Sequence, residues 1–253
     1  MNLVDLYLPV GQLCKAKKVA QQAIEFADRS GDYFEQVRNY TRLATTLHRQ
    51  GNLAVALKQF EVAEKIQPKR QPKYPKLYSL MGTQYCALLL DLATDTAVCE
   101  EVLERGQYME KASIDFNLGL LDIALNHLAM ASALFALNRF EEAREEFEQA
   151  VAWGRKMNMM HYFPEFLLER AKFHRHQKDF NQCQTDLDEA QEIIDRCGME
   201  LYAVDAALLR GNLNLDLNKP AQTEYEIAKQ LIDKTGYHLR DGELEELGKR
   251  LGG

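Results

Sequence analysis

The chain has 253 residues, of which 46% are hydrophobic and 27% charged, a balance that is ordinary for a folded protein and argues against disorder. Its 6 prolines and 14 glycines are too few for the frequent turns of a β-sandwich or β-barrel. A net charge of −7 argues against general binding to nucleic acid or to an anionic membrane.

The cysteines and the hydropathy pattern bear on the cellular compartment. Five cysteines are present, and no two of them have the C-x-x-C spacing, so we expect reduced thiols. No stretch reaches about 18 uncharged apolar residues, and residues 1–18 lack the order of charges and apolar residues that marks a secretory signal. These features predict a cytoplasmic protein.

Apolar residues recur at helical spacing along almost the whole chain, which predicts an all-α fold. The pattern is clearest in residues 35–70, and its members are Tyr40, Leu43, Ala44, Leu47, Gly51, Ala56, Phe60, Ala63 and Pro68. Small residues let two antiparallel helices approach closely while Phe and Leu fill the gap between them. This segment therefore predicts two antiparallel helices that are joined by a short turn.

The same pattern returns along the chain and predicts six helix pairs, at residues 1–31, 35–70, 73–112, 120–157, 162–197 and 201–235. The equivalent small or packed positions of the second helices are Ala16, Ala56, Val102, Ala143, Cys183 and Ala221, with separations of 40, 46, 41, 40 and 38 residues. The pattern resembles the tetratricopeptide repeat, although the unit is longer than the usual ~34 residues.

The resemblance implies a right-handed superhelical solenoid that forms one domain over residues 1–253. In such an array each repeat contacts only its neighbours, and a polar capping helix closes the end. We place the cap at residues 241–251, where Glu243 comes early and Lys249 and Arg250 come late, an order that suits the helix dipole.

A second resemblance concerns residues 77–92, 120–143 and 233–247, which are similar to the helical repeat arms of bacterial signal-transduction ATPases of the STAND type. It would imply a ligand-sensing or regulatory arm of a larger machine. The chain itself has no G-x-x-x-x-G-K-[ST] motif, so it does not carry the ATPase site.

The sequence offers no catalytic constellation. It has no G-x-S-x-G, no H-E-x-x-H and no glycine-rich phosphate loop, so we expect no enzyme activity and no cofactor or metal. The one cluster with ligand character is His174, His176 and Cys183, but imidazoles two residues apart point to different sides of a helix. The glutamates of residues 141–148 are expected to form a solvated outer face.

Function is therefore expected in the groove. In a tetratricopeptide array the first helix of each pair lines the concave side, and the resemblance assigns the residues there. The predicted groove residues are Arg38, Arg42, Thr45, His48, Arg49, Lys76, Leu125, Leu128, Phe135, Lys172, Arg175 and His176.

The face of the second repeat is basic although the chain is acidic. Arg38 and Arg42 are one helical turn apart, which is the spacing needed to fork a carboxylate or phosphate. They resemble the basic positions of tetratricopeptide domains that clamp a peptide's terminal carboxylate, but the asparagines of that clamp have no counterpart apart from Asn2. The alternative is that these arginines are solvated or pair with acids of neighbouring repeats.

These observations favour a non-catalytic scaffold that binds a protein segment in its groove. The partner would carry acidic residues or a carboxylate terminus, with cationic anchors in repeats two and five and an apolar floor in repeat four. The alternative is a ligand-sensing or regulatory arm of a larger bacterial signalling ATPase or transcription regulator. Neither nucleic acid nor a membrane is expected as a partner.

Overall fold

The computed structural model describes residues 3–157 and 160–252, and within these residues the regular structure is entirely helical, as predicted. The α-helices are α1 (Leu3–Tyr7), α2 (Leu13–Ser30), α3 (Tyr33–Arg49), α4 (Leu53–Arg70), α5 (Ser79–Leu92), α6 (Thr96–Asp115), α7 (Leu120–Ala136), α8 (Phe140–Met157), α9 (Phe163–His176), α10 (Phe180–Cys197), α11 (Glu200–Asp216), α12 (Gln222–Thr235) and α13 (Asp241–Gly252). A short 3₁₀ helix, His238–Arg240, precedes α13.

Four first helices, α3, α7, α9 and α11, end in the same turn. One residue of each turn adopts a left-handed backbone with φ of 74°, 59°, 61° and 54° at Gly51, Asn138, Lys178 and Asn218, respectively. The N–H group of the next residue then donates to the carbonyl five residues earlier, at 2.8 or 2.9 Å. Gly and Asn adopt this conformation more readily than other residues, so Gly51, Asn138 and Asn218 favour the end of the first helix at these positions. The chain then reverses direction into the second helix of the pair.

The chain divides into two compact units. Among the described residues, unit 1 contains 3–15, 49–51 and 160–252, and unit 2 contains 16–48 and 52–157. The helix pairs give the all-α repeat architecture that the periodicity indicates, whereas the single domain and the repeat boundaries proposed from the sequence stay predictions.

Unit 2 is built by packing second helices against the first helices that follow them. Phe60 of α4 is fully buried and stacks on Tyr85 of α5, with ring centroids 4.9 Å apart and planes 10° from parallel. Helix α7 packs against α5, α6 and α8, so it forms the centre of this unit. The aromatic and aliphatic positions of the repeat pattern therefore supply the core.

In unit 1, the N-terminal residues pack against the last repeat. Leu13 is 1% exposed and belongs to one core cluster with Leu201, Tyr237 and Leu247. The carbonyl of Pro9 accepts a hydrogen bond of 3.3 Å from the Leu201 N–H group. The expectation that each repeat contacts only its neighbours is therefore wrong here, because apolar side chains of the first repeat are buried among those of the sixth.

The predicted capping helix is confirmed as α13, which packs against α11 and α12 through the fully buried Leu247. Its acidic first turn and basic last turn complement the helix dipole. Across the described residues, we find no helix with the length and apolar character needed to cross a membrane.

All five cysteines are free thiols. Cys86, Cys99 and Cys183 are buried, whereas Cys14 and Cys197 are exposed. Burial raises the pKa of the Cys86 and Cys183 thiols to about 12, so these two remain protonated and serve as small apolar packing groups at neutral pH.

Candidate first-helix face and arginine patch

Polar side chains join the successive first helices of unit 2. Thr45 of α3 donates to Gln84 Oε1 of α5 at 2.9 Å, and His48 Nε2 lies 2.7 Å from Asp91 Oδ2 at the end of α5. The Ser79 hydroxyl of α5 donates to Asp122 of α7. We call the surface formed by α3, α5 and α7 the first-helix face.

Thr45 and His48 were both predicted to line a groove. The structure buries them, with exposures of 5% and 2%, and uses their polar atoms to connect α3 to α5. Their observed contribution is to hold neighbouring first helices together, because a buried polar group needs a hydrogen-bond partner.

The predicted apolar floor lies on α7. Leu125 and Leu128 are buried there, with exposures of 1% and 5%, and contribute to the core of unit 2. Phe135 is partly exposed, and its ring centroid lies 6.3 Å from that of Phe140 and 6.5 Å from that of Phe147. Of these three residues, Phe135 is the one that is not fully buried, and its contact with a partner stays a prediction.

Two further cations of the face are Arg42 of α3 and Lys76. The Arg42 guanidinium is partly buried and donates to Asn39 Oδ1 at 3.4 Å. Lys76 precedes α5, where its backbone N–H group donates to the Tyr108 hydroxyl at 3.1 Å. Asn2, the sequence's one counterpart to a clamp asparagine, lies outside the described residues.

Two arginines meet over one phenylalanine where α3 begins and α4 ends. Asp32 starts α3 by accepting the Phe34 N–H group at 2.8 Å, and the Phe34 side chain is 39% exposed. The guanidinium carbons of Arg38 and Arg70 lie 5.4 and 4.5 Å from the centre of this ring. Helix pairing explains the meeting, since antiparallel packing places the last turn of α4 beside the first turn of α3. We call Phe34, Arg38 and Arg70 the Phe34 patch.

The ion pairing of the Phe34 patch is weak. Arg38 Nη1 lies 3.4 Å from Glu35 Oε1, which is longer than the ~2.8 Å typical of a strong charge-assisted hydrogen bond. Within residues 3–157 and 160–252, no carboxylate lies within ion-pair distance of Arg70, whose Nη1 contacts the Gln67 amide oxygen at 3.5 Å.

The connection between α4 and α5 packs its aromatic residues together beside the patch. The Tyr74 ring centroid lies 4.8 Å from that of Phe116 and 6.1 Å from that of Tyr78, and Arg70 lies 5.9 Å from the Tyr78 ring centre. The Tyr74 hydroxyl donates to Asp115, which raises the pKa of Tyr74 to about 12 and lowers that of Asp115. These contacts anchor the segment that follows Arg70.

The sequence interpretation missed Phe34 and Arg70. It considered the first helices alone, and Arg70 is the last residue of a second helix. A local charge count would have indicated the region, because residues 65–90 contain five basic residues and no acidic one in a chain whose net charge is −7.

The predicted cations of α9 lie in unit 1 and are paired with carboxylates. Lys172 Nζ is 2.7 Å from Glu169 Oε1, and Arg175 Nε donates to Asp216 Oδ2 at 2.6 Å. Burial alone would lower the pKa of Lys172, but the adjacent Glu169 carboxylate raises it above its ordinary value. Arg175 thus pairs with an acid of the neighbouring repeat, as the alternative for the second-repeat arginines describes, whereas Lys172 pairs within its own helix. A groove role for both stays a prediction.

Arg49 belongs to a partly buried polar network of unit 1. Its Nη1 donates to the Tyr237 hydroxyl at 2.9 Å, and its Nη2 lies 3.4 Å from Glu165 Oε1. In the same network Arg240 Nε donates to Asp205 Oδ1 at 2.6 Å. Burial raises the pKa of Glu165, and the nearby Arg49 charge opposes that rise.

His174 and His176 do not form a ligand pair. His174 is 8% exposed, and its Nε2 lies 3.9 Å from Asp186 Oδ2, whereas His176 is exposed at the end of α9. Nowhere in the described part of the chain do three or more His, Cys, Asp or Glu side chains form a group that could hold a metal ion.

Comparison with known proteins identifies one repeat directly. Residues 124–155 match the family model described as "Tetratricopeptide repeat" and cover most of α7 and α8. A solved structure of a tetratricopeptide repeat protein from Parabacteroides merdae ATCC 43184 is 14% identical, with a TM-score of 0.42 over 98% of this chain and 95% of that chain. No curated protein matches the sequence.

Proposed function

We propose that the chain is a non-catalytic scaffold that binds an extended segment of a partner protein along the first-helix face of unit 2. Residues 124–155 match the tetratricopeptide repeat model, and such repeats generally act as protein-interaction modules. The observation that supports this is the side-by-side connection of α3, α5 and α7 through Thr45–Gln84 and Ser79–Asp122. Connected in this way, the helices offer one continuous surface rather than three separate ones.

The chemistry of that face indicates the kind of segment it takes. Arg42 and Lys76 contribute positive charge, and Phe135 contributes partly exposed apolar surface. A segment with acidic side chains or a terminal carboxylate, together with an apolar residue, would complement them. Binding would weaken with salt, because exposed charges are screened over about 10 Å at 0.1 M ionic strength.

The test begins with a partner captured by cross-linking and identified by mass spectrometry. Titration of that partner against Arg42→Glu/Lys76→Glu should show a loss of affinity of about tenfold or more, through lost pairing and new repulsion. Arg144→Glu on the second helix α8 is the control and should bind as the wild type does, and circular dichroism should report equal helicity for all three proteins. If the α8 variant loses binding while the α3/α5 variant retains it, the partner uses another surface and the proposed function is wrong.

A further inference from the structure

We propose that the Phe34 patch is a carboxylate-binding site, which accepts an aspartate or glutamate side chain of an acidic partner segment. The site lies at the end of the helix pair where α3 begins and α4 ends, and it includes Arg70 of a second helix. This inference rests on the proposed function and deepens it, because it names the chemical group of the partner and the residues that receive it.

The arrangement of charge is the first argument. Arg38 and Arg70 lie over the same ring, at 5.4 and 4.5 Å from its centre, so their guanidinium carbons are within about 10 Å of each other. Two like charges at this separation repel each other. A partner carboxylate beside the ring would reduce this repulsion and accept hydrogen bonds from the guanidinium groups, since each presents several N–H donors in a planar fork.

The exposed ring is the second argument. Phe34 is 39% exposed, so its ring lies at the surface with the two guanidinium groups over it. A guanidinium that lies flat over a ring keeps the N–H groups of its edge for other acceptors. The Phe34 backbone N–H group donates a hydrogen bond to Asp32 Oδ1, which holds the backbone of Phe34 in place.

The surrounding charge is the third argument. Residues 65–90 carry five basic residues and no acidic one, and the nearest of them to the patch in sequence are Lys69 and Lys73, both exposed. Lys73 Nζ lies 2.9 Å from Asp115 Oδ2, so this ion pair compensates its charge. On the α3 side Asp32 and Glu35 offset part of this excess, so the attraction for an acidic segment comes from the α4–α5 side of the patch.

The same features favour a peptide over a nucleic acid. Single-stranded nucleic acid binds by stacking bases on free aromatic faces along a basic groove. Here two guanidinium groups already lie over the exposed ring of the patch, and the chain carries a net charge of −7. The patch therefore suits one or two carboxylates rather than a run of phosphates and bases.

The probe is a fluorescein-labelled Gly-Ser peptide that carries several glutamates and an amidated C-terminus, and the readout is fluorescence anisotropy with the full chain. A matched peptide with glutamine in place of glutamate should not bind. Arg70→Gln and Arg38→Gln should each raise the Kd by about tenfold, the cost of one charge-assisted contact. Arg139→Gln, which removes another partly exposed arginine of unit 2, should leave the Kd unchanged.

A second pair of variants separates binding from folding. Phe34→Leu keeps an apolar side chain but removes the ring, and it should weaken binding while the melting curve stays that of the wild type. Arg70→Lys keeps the charge but removes the fork, and it should bind more weakly than the wild type and more tightly than Arg70→Gln.

Three results would overturn the proposal. The first is a Kd for the glutamate peptide that is unchanged in Arg70→Gln. The second is that a glutamate-free peptide with a free terminal carboxylate binds and the glutamate peptide does not. The third is a single-stranded RNA oligonucleotide that binds the patch while the glutamate peptide does not. The proposed function is tested separately: if Arg42→Glu/Lys76→Glu weakens the captured partner and Arg70→Gln does not, the first-helix face stands and the carboxylate site fails.

Discussion

In unit 1, Arg175 of a first helix and Arg250 of the cap bind a carboxylate of a neighbouring helix, whereas in unit 2 the arginines of the Phe34 patch lie over an aromatic ring. Asp216 of α11 accepts hydrogen bonds from both Arg175 and Arg250, each at 2.6 Å. Arg70, in contrast, contacts the Phe34 ring and an amide oxygen.

The comparison shows what decides the role of an arginine in a repeat array. Where a carboxylate of the next helix reaches the guanidinium, the ion pair connects two helices and the charge is used within the fold. Where the guanidinium instead contacts a ring and an uncharged amide oxygen, as Arg70 does, no carboxylate of the described residues compensates its charge. Arg175 lies in the last turn of a first helix and Arg70 in the last turn of a second helix, and the two differ in whether a neighbouring helix offers a carboxylate.

The largest expected effect tests the packing that supports unit 2. Phe60→Ala removes a fully buried ring that stacks on Tyr85, and it should lower the free energy of unfolding by about 3–5 kcal/mol. Phe26→Ala is the matched control, because Phe26 is 67% exposed and its removal should change stability by no more than about 0.5 kcal/mol. Urea unfolding followed by circular dichroism measures both, and equal losses would contradict the assignment of the core.

A somewhat smaller effect tests the ion pairs of unit 1. The side chains of Arg240 and Asp205 are 11% and 9% exposed, so Arg240→Met leaves a nearly buried carboxylate without its partner. We expect a loss of about 3 kcal/mol, and partial recovery in the double variant Arg240→Met/Asp205→Asn, which removes the stranded charge. If the double variant is less stable than Arg240→Met, the uncompensated charge of Asp205 is not the cause of the loss. Arg139→Gln, at an exposed pair, should change the unfolding curve little.

The smallest expected effect concerns how the free energy of unfolding changes at low pH. Burial tends to raise the pKa of Asp216, but the hydrogen bonds from Arg175 and Arg250 outweigh it and lower the pKa below the usual value of 3.8. A carboxyl group whose pKa is lower in the folded state stabilises the fold above its unfolded pKa, and this stabilisation is lost as the pH falls through the folded pKa.

Asp216→Asn should therefore be less stable than the wild type near neutral pH, and the two stability curves should converge below the usual pKa of the group. Urea titrations across this range measure the convergence. Asp188→Asn removes a carboxylate that is 60% exposed and should give a much smaller difference at neutral pH. A gap between wild type and Asp216→Asn that widens in acid would mean that the arginines do not stabilise the ionised form.

The helices and their turns could be predicted from the sequence because their causes are local. Apolar spacing sets the buried side of each helix, and Gly51 or Asn138 supplies the left-handed residue that ends it. The contacts of Arg49 could not be predicted in this way. Its partners Glu165 and Tyr237 follow it by 116 and 188 residues, and no periodicity relates positions so far apart.

Only part of the Phe34 patch could be predicted from the sequence. Arg38 follows from its position on a first helix, but Arg70 required knowledge of which end of α4 lies beside Phe34. Leu125 and Leu128 show the opposite error, in which residues predicted for the groove are buried in the structure. A leucine at such a position is buried when a neighbouring helix packs on it. Pattern alone does not distinguish these outcomes.

The burial of Leu13 among Leu201, Tyr237 and Leu247 has a consequence for the order of events during synthesis. The helix pairs of unit 2 need partners from nearby sequence, so they can form while the ribosome is still making the chain. Residues 3–15 need partners that are made almost 200 residues later, and closing so long a loop slows folding. During that interval Leu8 and Leu13 lack the apolar partners that bury them in the folded chain.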